Sequence, residues 1–165
     1  MLIVAGIVLL FGFVVFWGAP YVPTKRRDLR RAFSELRPIG KGDVVIDIGS
    51  GDGVVLREAA RKGAKAIGYE LNPLLVVISK LISFGNKNVT IHIANAWKVK
   101  FPDDVTLVFI FAVERDEKKI IALLQRETNR LGRPLQLISN GYALKKMQSD
   151  AVLSSHNLYT FYPQK

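Results

Sequence analysis

Residues 46–53 read "IDIGSGDG": an apolar run containing an acid, then three glycines at alternate positions. Glycine is placed where the backbone turns tightly or where another group must come close, so this stretch is shaped for a turn, a ligand, or both. With the residues before it, "KGDVVIDIG" is a continuous apolar run of strand length, as expected of a strand buried on both faces. Alternation follows. "GVVLREAARKG" reads as a helix closed by Gly63 and "AKAIGYE" as a second strand. "NPLLVVISKLISFG" reads as a helix with Asn72 as N-cap, Pro73 at its first position and Gly85 past its end. "NVTIHIAN" and "DVTLVFIFAV" are further strands. "DEKKIIALLQRETNRLG" is a helix with Asp116 as its N-cap and with Ile120, Ile121, Leu124 and Leu131 near one face. "RPLQLIS" is a fifth strand, and "DAVLSSHNLYTFYP" holds one or two more. This order predicts an α/β fold, a parallel sheet with helices on both faces.

The chain has 165 residues, enough for one ordinary domain. It has no cysteine, which excludes disulfides, thiolate metal sites and a cysteine nucleophile. The net charge of +10 suits an acidic partner: nucleic acid, anionic lipid or an acidic protein surface. That charge is unevenly placed. The first 24 residues carry no charged side chain, whereas "TKRRDLRRAFSELRPIGK" is crowded with Lys and Arg. "MLIVAGIVLLFGFVVFWGAP" would span about 30 Å as a helix, the hydrocarbon thickness of a bilayer, with Trp17 and Tyr21 near its end. Basic residues follow the apolar run and no good cleavage site appears, so the expectation is an uncleaved single-pass transmembrane helix over 1–20, not a signal peptide. Lys25, Arg26, Arg27, Arg30 and Arg31 then predict a cytoplasmic body, residues 21–165, with anionic lipid beside the anchor. Thr24 is the expected N-cap of a helix running to Leu36, with Leu29, Ala32, Phe33 and Leu36 as its apolar stripe.

The glycine turn narrows the ligand. A third glycine at position 54 would complete the dinucleotide fingerprint, but Val54 stands there, and the triphosphate loop is absent. What remains is Asp47-x-Gly49-x-Gly51-x-Gly53, which resembles the first motif of Rossmann-like, class I methyltransferases that use S-adenosylmethionine (SAM). The resemblance implies that Asp47 helps attract the SAM ammonium, while Gly49, Ser50, Gly51 and Gly53 let the ligand lie close. Glu70, at the end of the second strand with Leu71 beside it, is placed to accept the ribose hydroxyls. Charge-assisted bonds of that kind are worth about 1.5–3 kcal/mol each. Asn95 stands where the wider family often has an acid for the adenine amino group, and its carbonyl can accept without charge. Ala96 and Trp97 are candidates for packing on the adenine, with a core role for Trp97 as the alternative.

Read together, "YVPT", "IDIGSGDGVVLREAARKGAKAIGYELNP" and "WKVKF" resemble the small membrane-associated protein lysine methyltransferases of mitochondria. Those enzymes modify the ATP synthase c-subunit and the adenine nucleotide translocase, and they have prokaryotic relatives. The chain departs from them at Asn95, at "FAVERD" in place of Phe-Gly-Val-Pro, and at "ISNGYAL" after the fifth strand. Methyl transfer from a sulfonium is an in-line displacement governed by positioning. A lysine acceptor must first lose its proton. Glu114 and Asp116, at the carboxyl edge of the fourth strand, are the candidates to orient or relay it, helix capping being the alternative role for both. Tyr21, Thr24 and Tyr142 are candidates to close over the methionyl end. His92 and His156 lack partners at metal-ligand spacing and read as structural. The leading expectation is a membrane-anchored SAM-dependent methyltransferase acting on a lysine of a membrane protein. The alternatives are an RNA or lipid-headgroup methyltransferase, or a methyltransferase fold serving as a binding factor.

Overall fold

In the computed structural model, which describes residues 26–164, seven strands form one sheet in the order β3-β2-β1-β4-β5-β7-β6. The strands are β1 (Val44–Ile48), β2 (Lys65–Glu70), β3 (Val89–Ile93), β4 (Leu107–Phe111), β5 (Leu135–Asn140), β6 (Ala151–Leu153) and β7 (His156–Phe161). The helices are α1 (Arg26–Arg31), continued by a π-helical turn over Ala32–Leu36, then α2 (Val54–Arg61), α3 (Pro73–Ile82) and α4 (Glu117–Leu131). The segments expected as transmembrane helix and helix start, including Tyr21 and Thr24, lie outside the described residues. Among the described residues no helix is long and apolar enough to cross a membrane.

Strands β3, β2, β1, β4 and β5 are parallel, and every residue of β1 is buried. The sheet departs from the wholly parallel expectation at one edge. β7 runs antiparallel to β5 and forms a hairpin with β6 across Ser154 and Ser155, with Ser154 at φ 57°. A two-residue connection joins only antiparallel strands, whereas a parallel neighbour needs a crossover of a dozen or more residues.

Right-handed crossovers decide the layers. The chain steps from β1 through α2 to β2 and through α3 to β3 in one direction. It then returns to the far side of β1 and steps from β4 through α4 to β5. Accordingly Leu29 of α1, Phe33 of the π-helical turn after it, Val55, Leu56 and Ala59 of α2, and Val76 of α3 pack on one sheet face, against Val45, Leu107 and Phe109. Ile120, Leu123 and Leu124 of α4 pack on the other, against Ile46, Val108 and Leu137. The buried stripe of α4 is shifted from the expected one. Leu123, Glu127 and Thr128 are buried with Ile120 and Leu124, while Ile121 and Leu131 are only partly covered.

Helices α1 and α2 lie side by side and parallel. Arg30 donates two hydrogen bonds to the Glu58 carboxylate, at 2.9 and 3.2 Å, and Lys62 Nζ donates to Ser34 Oγ at 2.7 Å. Both pairs are separated by 28 residues, which sets Arg26 level with Val54. The described chain therefore begins at the carboxyl edge of the sheet, next to the glycine turn.

No helix links β3 to β4. The connecting segment is strapped to α4 and the turn after it by arginines instead. Arg126 donates to the carbonyls of Trp97 (3.2 Å) and Val99 (2.9 Å), Arg130 to that of Phe101 (2.7 Å), and Arg133 to those of Asp103 (2.7 Å) and Val105 (2.6 Å). Buried Glu127 accepts from Arg126, Arg130 and the Phe101 amide. Part of the positive charge is thus spent within the fold.

Candidate active site at the carboxyl edge

Strand register gathers the candidate residues along one edge. Ile48 pairs with Tyr69 and Ile110, Glu70 with Ile93, and Phe111 with Asn140. Turns leaving β1, β2, β3, β4 and β5 therefore open on the same side. The order reverses between β1 and β4, the switch point at which open α/β sheets bind ligands.

The glycine turn leaves β1 under close restraint. Gly49 and Ser50 both donate to the Tyr69 carbonyl (2.9 and 3.2 Å), and Gly53 donates to that of Ser50 (2.8 Å). Gly53 takes φ 80° and, as the residue before α2, packs against α3. A Cβ there would collide with Ser79 Oγ and lie 3.2 Å from Arg57 Nη1. Gly68 in β2 is confined from behind, since its Cβ would fall 2.5 Å from Ser50 Oγ and 2.7 Å from Leu56 Cδ1. The turn's fit thus depends on absent side chains in two different elements. Asp52, within the turn, is ion-paired to Arg57 at 3.2 Å.

Glu70 has a role that the residue pattern did not reveal. Its Oε2 accepts from the Gly51 amide at 2.9 Å, and its Oε1 accepts from the amides of Leu71 and Asn72 at 2.8 Å each. The carboxylate clasps the glycine turn to the start of α3. A carboxylate offers about four lone-pair sites, two on each oxygen, so Oε2 retains capacity to accept a ribose hydroxyl while Oε1 is filled by the two amides. Leu71 is exposed beside it.

Asp47 lies one residue before the end of β1 and is only 3% exposed. Its carboxyl group makes no hydrogen bond or ion pair with the described residues. Burial, followed by the charges of Glu70 and Asp52, pushes its carboxyl well above the ordinary Asp range. These surroundings favour the neutral acid, and a cation brought close would favour ionisation.

After β3, Asn95 Oδ1 accepts from the Trp97 amide at 3.1 Å, so the side chain shapes its own turn. Ala96 is buried in the core on the α4 side, and Trp97 is partly buried against that core with Lys119 over its ring at 6.0 Å. Arg126, which the sequence pattern did not single out, holds the Trp97 carbonyl and with it this turn.

Glu114 and Asp116 occupy a short 3-10 turn leading into α4. Glu114 is exposed and ion-paired with Lys145. Asp116 stands at the N-cap position, yet its side chain makes no capping hydrogen bond, contrary to expectation. At φ −98° and ψ −3° its backbone lies outside the extended conformation that caps adopt, and its carboxylate faces Lys119 (3.6 Å) and Arg115 (3.8 Å). Glu117 is buried and accepts from Tyr142 Oη (3.3 Å) and the Lys146 amide (2.8 Å). Asn140 is also buried, accepting from Ser155 Oγ at 2.8 Å. The segment "ISNGYAL" is thereby folded over α4, with Glu114, Lys145 and Tyr142 grouped together. His92 stacks on Tyr69 with centroids 5.6 Å apart, and His156 is buried against Phe109. Among the described residues no group of His, Asp and Glu could hold a metal ion.

This edge offers a glycine turn, a carboxylate beside it, a turn after β3 closed by Asn95 and an exposed acid after β4. The family model described as the ANTKMT methyltransferase domain matches residues 47–151, which include all of these. The chain is 34% identical over 111 residues to the lysine N-methyltransferase of the ATP synthase c-subunit from Xenopus laevis, covering 66% of this chain and 48% of that protein. It is 36% identical over 111 residues to the Homo sapiens protein of the same name, covering 66% and 46%. The chain thus spans about half the length of the curated relatives it matches. Among solved structures, it resembles an RNA methyltransferase from Salinibacter ruber in complex with S-adenosyl-L-homocysteine. That match has a TM-score of 0.75 and 22% identity over 87% of this chain and 95% of that one. At that identity the likeness is one of fold. The match of the family model across most of the sheet and its carboxyl edge shows that the chain belongs to the ANTKMT methyltransferase domain family.

Proposed function

We propose that this chain is a membrane-anchored, SAM-dependent methyltransferase that transfers a methyl group to a lysine amine of a membrane protein. The observation that carries the reading is the convergence on one sheet edge of the Glu70-clasped glycine turn and the start of α1. In this reading SAM lies over Gly49–Gly53, its ribose on Glu70 and its adenine against Asn95–Trp97. The ammonium approaches Asp47, and the segment with Tyr21 and Thr24 closes over the methionyl end. The apolar segment 1–20, followed by the basic residues of α1, would hold the carboxyl edge close to the cytoplasmic face of a bilayer.

SAM supplies an electrophilic methyl on a sulfonium. The protein's task is to bring a neutral amine in line at about 3–3.5 Å. Glu114 is the acid nearest that task, and Lys145 pairs with it. An exposed ion pair of this kind is worth about 0–1 kcal/mol, so an arriving substrate ammonium can exchange with Lys145 at little cost. The names of the relatives, lysine N-methyltransferases of the ATP synthase c-subunit, favour a protein amine as acceptor. The arginines spent on holding the β3–β4 segment weaken the case for RNA, which rested on net charge.

The test is transfer of radiolabelled methyl from SAM to membrane fractions of a strain lacking the protein. Intact enzyme is expected to label one protein band. Glu70→Ala protein is expected to need at least about tenfold more SAM, through loss of charge-assisted bonds. Label in RNA or lipid, or labelling indifferent to Glu70, would refute the reading.

A further inference from the structure

Helix α3 is apolar nearly all the way round. Its inner face buries Val76 and Ser79. Its outer face exposes Leu74, Val77 and Leu81, and the stripe continues to Phe84, spaced as one helical face. Leu81 is 70% and Phe84 92% exposed, and Ile93 is exposed on the adjoining edge strand β3. A helix without a polar face belongs in a core or at a membrane. This one sits at the outer edge of a sheet.

Charge identifies what covers it. Residues 71–102 contain four lysines and no Asp or Glu. Two of these lysines, Lys80 and Lys87, lie at the distal end of the stripe. A groove between α3 and β3 is lined there by Lys80, Ser83, Thr90 and His92, and the buried Ser83 hydroxyl has no hydrogen-bond partner. Cations at the rim of an apolar face match an anionic phospholipid layer, with acyl chains for the leucines and phosphates for the rim. A second copy matches poorly, because a two-fold contact would set lysine against lysine with no acid on the face to pair them.

We propose that the outer face of α3, with the β3 edge, docks into the headgroup layer of an anionic bilayer, as a second membrane contact besides residues 1–20. The inference rests on the membrane location proposed above and not on the methyl-transfer chemistry. Because α3 starts directly after Glu70, this contact would fix the carboxyl edge at the membrane interface instead of leaving it to swing on its tether.

The chain has no cysteine, so Phe84→Cys and, on the exposed outer side of α4, Ala122→Cys each give a unique labelling site. Full-length protein carrying a polarity-sensitive fluorophore at either site is reconstituted in phosphatidylcholine vesicles, with or without phosphatidylserine, containing a shallow spin-labelled quencher lipid. Emission from position 84 is expected to fall about twofold or more, and further with phosphatidylserine, while position 122 stays unquenched. Equal quenching at both sites, or none at 84, in vesicles that float with the protein would overturn the proposal. So would a blue-shifted but unquenched label at 84, which means cover by the chain's own N-terminal segment. Rapid disulfide pairing of unlabelled Phe84→Cys molecules would assign the face to a second copy and overturn it too. Protein that does not float with vesicles would remove the membrane anchor itself, a separate failure.

Discussion

Replacing Gly53 by alanine should damage the site in a way that a second substitution partly repairs. Two costs meet at this residue. Its φ of 80° lies in the left-handed region, where a side chain costs about 1–2 kcal/mol. In addition, the new Cβ collides with Ser79 Oγ, and overpacking of that kind costs about 1–3 kcal/mol. Gly53→Ala should therefore lose about 2–5 kcal/mol of stability. Ser79 Oγ is buried without a hydrogen-bond partner, so Ser79→Ala alone should stay within about 0.5 kcal/mol of the wild type. In the double variant Ser79 Cβ remains at 3.4 Å, an ordinary contact distance, and Arg57 Nη1 at 3.2 Å, the end of a flexible side chain that can shift. The collision term should vanish, leaving about 1–2 kcal/mol. Urea unfolding of the four proteins in the same detergent, followed by tryptophan fluorescence, gives the cycle, and calorimetry with SAM shows whether affinity recovers in parallel. A coupling of at least about 1 kcal/mol is expected, against the roughly 0.3–0.5 kcal/mol within which independent sites add. Additive effects would refute the claim that the turn is confined by α3.

Asp47 is held above its ordinary range in the fold, so between its unfolded value near 3.8 and its raised folded value the native state binds the extra proton. Stability contributed by this group is then lost as pH rises through that window. Asp47→Asn should gain stability over the wild type in urea titrations above about pH 4, converge with it at lower pH, and bind SAM more weakly. Calorimetry in buffers of different ionisation enthalpy should detect proton release when SAM binds the wild type and none with Asp47→Asn. His156 has the opposite sign. Burial lowers its value below 6.5, opposed by Asp28 and the Leu153 backbone, so the unfolded chain takes up the proton first. Wild-type stability should fall as pH drops below about 6.5, and His156→Leu should remove that dependence in thermal melts across about pH 5–8.

Local chemistry made much of the fold legible. The α3 boundaries were readable because Asn72, Pro73 and Gly85 act on their own neighbours, and Asn72 does accept from the Leu74 and Leu75 amides. Alternation of strand and helix was enough to imply a sheet with helices on both faces. Features set by distant residues were not readable. That Glu70 is engaged by Gly51 depends on a contact across 19 residues, and the grip of Arg126 on the turn after β3 spans 29. The antiparallel edge depends on where β7 docks, which the pattern of "HNLYTF" does not encode. Asp116 met the compositional rule for a cap, but the 3-10 turn before α4 set its backbone otherwise. The expectations for Tyr21 and Thr24 fall outside the described residues.

The clasp between Glu70 and the glycine amide has a kinetic corollary. Since the chain's own bonds already assemble the cradle, a nucleoside need not wait for a segment to organise, and little configurational freedom is forfeited at capture. Deuterium uptake at Gly51, Leu71 and Asn72 should accordingly be slow in unliganded protein and change little on loading, with the contrast between the two states concentrated in whatever part of the chain folds over the methionine tail.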